Sequence, residues 1–205
     1  PSQARMLAGL TSVADWIGSG PHFENPSEDW QPRIAQALDE AGFVPPRIRQ
    51  DLRFSDLFGF APRGIQQRLV ESITGPGVYI LEAPMGQGKT EAALYAAYRM
   101  LASGQACGIY FALPTQLTSN SLYERFVPFL QTMLQPDCIH QQGLLLHGMA
   151  WLVQTQMGEE GRPGGEWFQQ AKRGLLAPFA VGTVDQALMA VMNVKHGFVR
   201  AFGLA

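Results

Sequence analysis

The sequence predicts an α/β fold in which a parallel sheet carries helices on both faces. Three observations predict it. Four uninterrupted apolar runs, GVYILEA (77–83), CGIYFALPT (107–115), GLLLHG (143–148) and LLAPFAVGT (175–183), have the composition of strands buried on both sides. They alternate with helical stretches such as TEAALYAAYRMLASG (90–104) and TVDQALMAVM (183–192), the rhythm of parallel strands joined by crossover helices. A chain of 205 residues, 46% hydrophobic and 16% charged, has the length and the apolar content for one full domain and part of another.

Each element follows from local pattern. In QARMLAGLTSVADWIG (3–18), Met6, Leu7, Leu10, Val13, Ala14 and Ile17 recur at three- and four-residue spacing, predicting a helix with these residues on one face and glycines at its end. From Pro21 to Ser55 the chain is rich in Pro, Asn, Gln and charge. This connector holds one helix, around RIAQALDEAG, which ends at a glycine cap ahead of Pro45 and Pro46. The alternating strand and helix pattern begins after it.

Composition excludes several classes. Fifteen basic against 17 acidic residues leave a net charge of -2, so no bulk positive field announces nucleic acid. Cys107 and Cys138 stand in unrelated contexts, indicating neither a disulfide framework nor a zinc site. No apolar run is long enough to span a bilayer and no secretory leader is evident, so a cytoplasmic chain without membrane association is expected. His22, His140, His147 and His196 are isolated, and structural roles are expected for all four. The sequence does not specify an oligomeric state.

The stretch EAPMGQGKTEAAL (82–94) carries the chemistry. It leaves an apolar run, turns through Ala83, Pro84, Met85, Gly86, Gln87 and Gly88, and opens a helix with Lys89 and Thr90. This is a phosphate-loop pattern with Ala83 in place of the usual first glycine. Backbone N–H groups of the turn and the positive end of the helix dipole converge on phosphate oxygens. Lys89 supplies a charge at the outer phosphates and Thr90 a hydroxyl for magnesium. A tight glycine turn with a solvated lysine is the alternative, and it leaves the coincidence of run, turn, Lys-Thr pair and helix unexplained. Gln66, in FGFAPRGIQQRLVE (58–71), opens a helix upstream of the loop, and its amide has the donor and acceptor needed to read adenine. Two further strand ends resemble each other: one stops at Pro114 with Thr115 and Gln116 at its tip, the other at Gly182-Thr183 with Asp185 starting a helix. Such tips offer N–H and hydroxyl donors to a phosphodiester backbone.

Together these motifs resemble the first RecA-like domain of superfamily 2 helicases. More narrowly, the loop, the FALPTQ strand end and KRGLLAPFAVGTVDQAL resemble the CRISPR-associated helicase-nuclease family of type I interference systems, from about Phe58 to Ala205. The segment AGLTSVADWIGSG resembles the end of that family's HD-type nuclease domain. The resemblance implies a helical remnant of the nuclease at 1–20, a linker at 21–55 and an incomplete first motor domain at 56–205. It implies ATP and magnesium at the loop, single-stranded DNA at Pro114, Thr115, Gln116, Thr183 and Asp185, and an RNA-guided surveillance complex as partner. It makes Asp15 a ligand of a divalent transition metal in the nuclease, beside an apolar strip of Leu7, Leu10 and Ile17 expected to be exposed. The acidic magnesium box is expected just past HGFVRAFGLA and the nuclease histidines ahead of Pro1, so the chain itself is expected to bind ATP without turning it over. Other readings are a repair or restriction translocase, or a non-catalytic nucleotide-binding or docking module.

Overall fold

The computed structural model describes residues 2–25, 29–146, 165–169, 173–192, 194 and 196–205. Three strands, β1 (Ile109–Leu113), β2 (Leu144–Leu146) and β3 (Phe179–Thr183), form a parallel sheet in the order β1-β3-β2. Ile109 pairs with Phe179, Leu113 with Thr183 and Leu144 with Ala180. All five residues of the central strand β3 are buried, as its unbroken apolar run demands of a strand with neighbours on both edges. The parallel sheet expected from the sequence is present, and three of the four apolar runs supply it. Of GLLLHG, His147 and Gly148 lie outside the described residues.

Alternation along β3 divides the core between two faces. Phe179 and Val181 pack with Leu145 against α5 (Lys89–Ala102) and α6 (Gln116–Met133), through Leu94, Tyr98, Leu101, Leu122, Phe126, Phe129, Leu130 and Met133. Ala180 points the other way, with Leu144, Leu176, Phe168 of α7 (Gly165–Gln169), Val199 of α9 (Gly197–Gly203) and Val13 of α1 (Ser2–Gly18). The helix expected over 183–192 is shorter: α8 spans Val184–Leu188, after which Ala190 and Val191 donate to carbonyls only three residues back and tighten the chain into a turn.

The connector is fastened to this core. Its helix α2 (Gln31–Ala41) ends where Gly42 takes the left-handed φ of 87°, as the glycine cap predicted. Beyond it, the Arg49 N–H donates to the Met133 carbonyl at 2.8 Å and the Gln135 N–H to the Arg47 carbonyl at 2.9 Å. The Tyr98 hydroxyl donates to the Arg49 carbonyl and accepts from the Leu52 N–H, both at 2.9 Å. His140 bonds the Val44 carbonyl at 2.7 Å, and burial pushes its pKa below the usual histidine value. His22 pairs with Glu40, and His196 packs edge-on against Trp16.

Two expectations need correction. On α1, Gly9 and Val13 are buried, and Leu7 and Leu10 are exposed as expected, at 65% and 48%. Ile17 packs on the core and leaves the predicted exposed strip. The cause is Gly9, where a Cβ would lie 2.5 Å from the Phe198 carbonyl oxygen and from Phe202 Cβ. Backbone contact at that crossing favours the glycine face over the leucine face. The Arg173 guanidinium, 5.3 Å from the Trp16 ring centre and 4.2 Å from that of Trp167, adds a cation–π contact to the same junction.

The second correction concerns GVYILEA, which is not a strand of the sheet. Residues 78–84 form no regular element, and Val78 and Ile80 are 93% and 82% exposed. An apolar run becomes a strand only when neighbours satisfy its backbone groups, and none of the described strands pairs with this one.

Candidate functional site

The phosphate-loop pattern folds as a turn and a helix start. Gly86 and Gly88 take left-handed φ angles of 77° and 74°. Gly88 is the N-cap of α5, and no side chain caps that helix, so its first N–H groups carry the positive end of the helix dipole without an internal acceptor from a side chain. Lys89 Nζ donates to the Ala83 carbonyl and, at 3.0 Å, to the Pro84 carbonyl, which draws its charge back over the turn. Met85 projects into solvent, and Gln87, Lys89 and Thr90 are half-buried. At the next residue, Glu91 forms an ion pair with Arg125 of α6, which anchors the first turn of α5.

Helix α4 (Gly64–Ser72), which follows the short helix α3 (Phe54–Phe58), supports the loop from the side. Gln66 is fully buried. Its Oε1 accepts from the Arg63 N–H at 2.8 Å and its Nε2 donates to the Gly88 carbonyl at 2.9 Å. Arg63 Nη1 donates to the Gly86 carbonyl at 2.6 Å. The two carbonyls at the loop's left-handed glycines are therefore both held by α4. Arg63 was missed from sequence; its position three residues ahead of Gln66, at the start of the same helix, is the signal that could have found it.

The two similar strand ends come together. Because Leu113 and Thr183 are register partners in parallel strands, the tips that follow them lie side by side on the carboxyl edge of the sheet. Thr115 is the N-cap of α6: its hydroxyl accepts from the Thr118 N–H at 3.3 Å, and the buried Ser119 hydroxyl donates to its carbonyl at 2.9 Å. Pro114 and Gln116 are exposed. On the second tip Thr183 is buried as the N-cap of α8, while Asp185 faces solvent.

Two residues that sequence reasoning passed over hold the second tip. The Tyr110 hydroxyl donates to the Thr183 carbonyl at 2.8 Å, and burial pushes its pKa up to about 12, so it remains a neutral donor. Arg200 Nη1 of α9 bonds the Gln186 side-chain oxygen at 2.9 Å and its carbonyl at 3.3 Å. Tyr110 lies inside an apolar run, where a hydroxyl needing a partner was the available signal.

Asp15 is exposed on α1. Among the described residues no group of three or more His, Cys, Asp or Glu side chains is arranged to hold a metal ion, so Asp15 stands without a ligand set. No helix among the described residues is long and apolar enough to cross a membrane.

A parallel sheet with helices on both faces and its strand tips at one edge is the architecture of an α/β fold and is consistent with a fragment of a RecA-like domain. No protein-family model matches the chain, but individual proteins do. It is 37% identical to the CRISPR-associated endonuclease/helicase Cas3 of Thermus thermophilus and 35% identical to the CRISPR-associated nuclease/helicase Cas3 of Streptococcus thermophilus, in each case over 100% of this chain and 25% of the relative. The crystal structure of T. fusca Cas3 with ATP matches 99% of this chain and 25% of its own, with a TM-score of 0.82 at 34% identity. Over its whole length, then, the chain is related to the CRISPR-associated endonuclease/helicase proteins, and it spans about a quarter of the length of the curated relatives it matches.

Proposed function

We propose that this chain is the ATP-binding part of a cytoplasmic single-stranded DNA translocase that carries a metal-dependent nuclease and serves RNA-guided antiviral defence. The observation that carries the reading is the turn ending in Gly88, Lys89 and Thr90, which opens α5 with no side-chain cap. Left-handed glycines, an uncapped helix start and a lysine are a donor set suited to a triphosphate. Ala83, Pro84, Met85, Gly86, Gln87 and Gly88 would wrap the phosphates, Lys89 would exchange loop carbonyls for phosphate oxygens, and Thr90 would supply a hydroxyl to magnesium. Bound magnesium–ATP supplies the phosphoanhydride whose hydrolysis drives movement. In support, T. fusca Cas3 has been solved with ATP, AMPPNP and ADP.

Pro114, Thr115, Gln116, Thr183 and Asp185 form the proposed path of the DNA backbone. Their shared edge supports it, and their mostly neutral chemistry predicts sequence-indifferent binding with a shallow salt dependence. Turnover, translocation, cleavage and recruitment by a surveillance complex are assigned to a protein of the relatives' length. There Asp15 is proposed to ligate the nuclease's transition metal, so that Asp15→Ala would abolish cleavage of single-stranded DNA and spare ATP hydrolysis. Loss of both together would count against that role.

Calorimetric titration with magnesium–ATP tests the central assignment. Lys89→Ala is expected to weaken binding roughly tenfold or more, the order of a lost charge-assisted contact. Equal affinity in both proteins would remove the phosphate-loop reading.

A further inference from the structure

Helix α9 lies against α1 and reaches the second strand tip, and it is fixed to both. On the α1 side the backbones meet: a Cβ on Gly9 would fall 2.5 Å from the Phe198 carbonyl oxygen and from Phe202 Cβ. At the start of α9, His196 takes a left-handed φ of 62°, uncommon for a residue with a side chain. Its ring packs edge-on against Trp16 of α1 at 5.6 Å. At the far end of the helix, a Cβ on Gly203 would fall 2.1 Å from the Leu175 carbonyl oxygen, just ahead of β3. Such close contacts leave α9 little room to slide. From this fixed helix Arg200 extends to the tip. Its Nη1 donates to the Gln186 side-chain oxygen at 2.9 Å and to the Gln186 carbonyl at 3.3 Å. Gln186 stands in the first turn of α8, whose N-cap is Thr183 and which also carries Asp185.

From this geometry we infer that α9 couples the second strand tip to α1, with Arg200 as the positioning residue between them. The inference rests on the DNA path proposed above and deepens it. A single strand held at Thr183 and Asp185 steadies α8, and through Arg200 and α9 it steadies the packing of α1. In return, α1 keeps the tip in the position that binds. The two effects are equal because one coupling free energy is seen from two sites. In a protein of the relatives' length, Asp15 on α1, proposed above as a metal ligand, would be held more firmly when DNA occupies the tip. A guanidinium beside a strand tip could instead pair with a DNA phosphate, and salt tells the two roles apart.

Binding of labelled oligothymidine over a range of salt, and amide exchange of peptides covering residues 6–17 with and without it, are measured on four proteins. These are wild type, Arg200→Met, Gln186→Met and the double variant. Methionine keeps helix propensity and removes the side-chain hydrogen bonds. Gln186→Met alters only the tip side, so it serves if Arg200→Met unfolds in a thermal melt. The coupling predicts that oligothymidine slows α1 exchange in wild type by roughly fivefold or more. Arg200→Met and Gln186→Met should each lose most of that protection and bind oligothymidine roughly threefold to tenfold more weakly, with an unchanged salt slope. The double variant should bind no more weakly than Arg200→Met alone. A salt slope shallower by about 0.7 in Arg200→Met would make the guanidinium a phosphate ligand and overturn the inference. It would also be overturned by α1 peptides that do not respond to DNA in wild type, or that stay protected by DNA in both single variants. Should wild type fail to bind oligothymidine, or bind it equally well after Gln116→Ala and Asp185→Ala, the DNA path itself falls and the coupling with it. That outcome is distinct because it involves neither Arg200 nor Gln186.

Discussion

The sheet edge and the phosphate loop begin from the same kind of sequence and end differently. CGIYFALPTQ and GVYILEAPMG each read as a buried strand followed by a turn and a helix. The first becomes β1, paired residue for residue with β3, and its tip is capped by Thr115. The second forms no regular element and is exposed, with Val78 and Ile80 in solvent. Yet its turn keeps left-handed glycines and a helix start, because α4 holds the Gly86 and Gly88 carbonyls and α5 packs into the core. The difference teaches that a loop can be shaped by a neighbouring helix even where the strand feeding it has no partner.

Mutation can break the comparison most sharply in its packing. Leu130→Ala removes a fully buried side chain from the core shared by α6 and the sheet, and is expected to cost about 2–5 kcal/mol. Ile80→Ala, in the exposed run, is expected to change stability by less than about 0.5 kcal/mol. Denaturant unfolding of both variants measures the contrast, and a core-sized loss at Ile80 would mean that the run is buried after all.

A smaller effect is expected at the sheet edge. Tyr110→Phe removes the donor to the Thr183 carbonyl and should cost about 1–2 kcal/mol, since a partly buried acceptor loses its partner. Weaker binding of labelled single-stranded DNA by the same variant would tie this bond to the proposed DNA path; unchanged DNA binding would separate the tip's stability from its function.

The smallest effect is one of pH. Burial lowers the folded-state pKa of His140 below its unfolded value of about 6.5. The unfolded chain therefore binds the proton first, so the stability contributed by neutral His140 is present above pH about 6.5 and is lost as pH falls below it. Replacing His140 with Gln should flatten that part of the stability–pH curve. An unchanged slope between pH about 7 and 5 would assign the dependence to other groups.

What the sequence made legible follows the range of the forces involved. The runs at 107–115, 143–148 and 175–183 could be read because each finds its partner strand within this chain, and the caps at Gly42 and Thr115 because their chemistry is local. The fate of residues 77–83 could not be read, since apolar composition states a need for burial and not whether a neighbour meets it. On α1 the exposure of Leu7 and Leu10 was legible but the packing of Ile17 was not, because the buried side is set by Gly9 against α9, a contact 189 residues away in sequence as counted from Gly9 to Phe198. The loop residues themselves were legible, whereas the amide of Gln66 showed only what it can bond and not that the Gly88 carbonyl, 22 residues on, would claim it.

Amide hydrogen exchange with and without magnesium–ATP tests most directly the claim that nucleotide engages the α4-supported loop and leaves the sheet as it is. The account predicts that peptides covering residues 84–91 gain protection on adding ATP, while those covering β1 and β3 are protected from the start and do not change. Loop peptides that exchange at the same rate with and without ATP, or protection that arises at the strand tips instead, would contradict it.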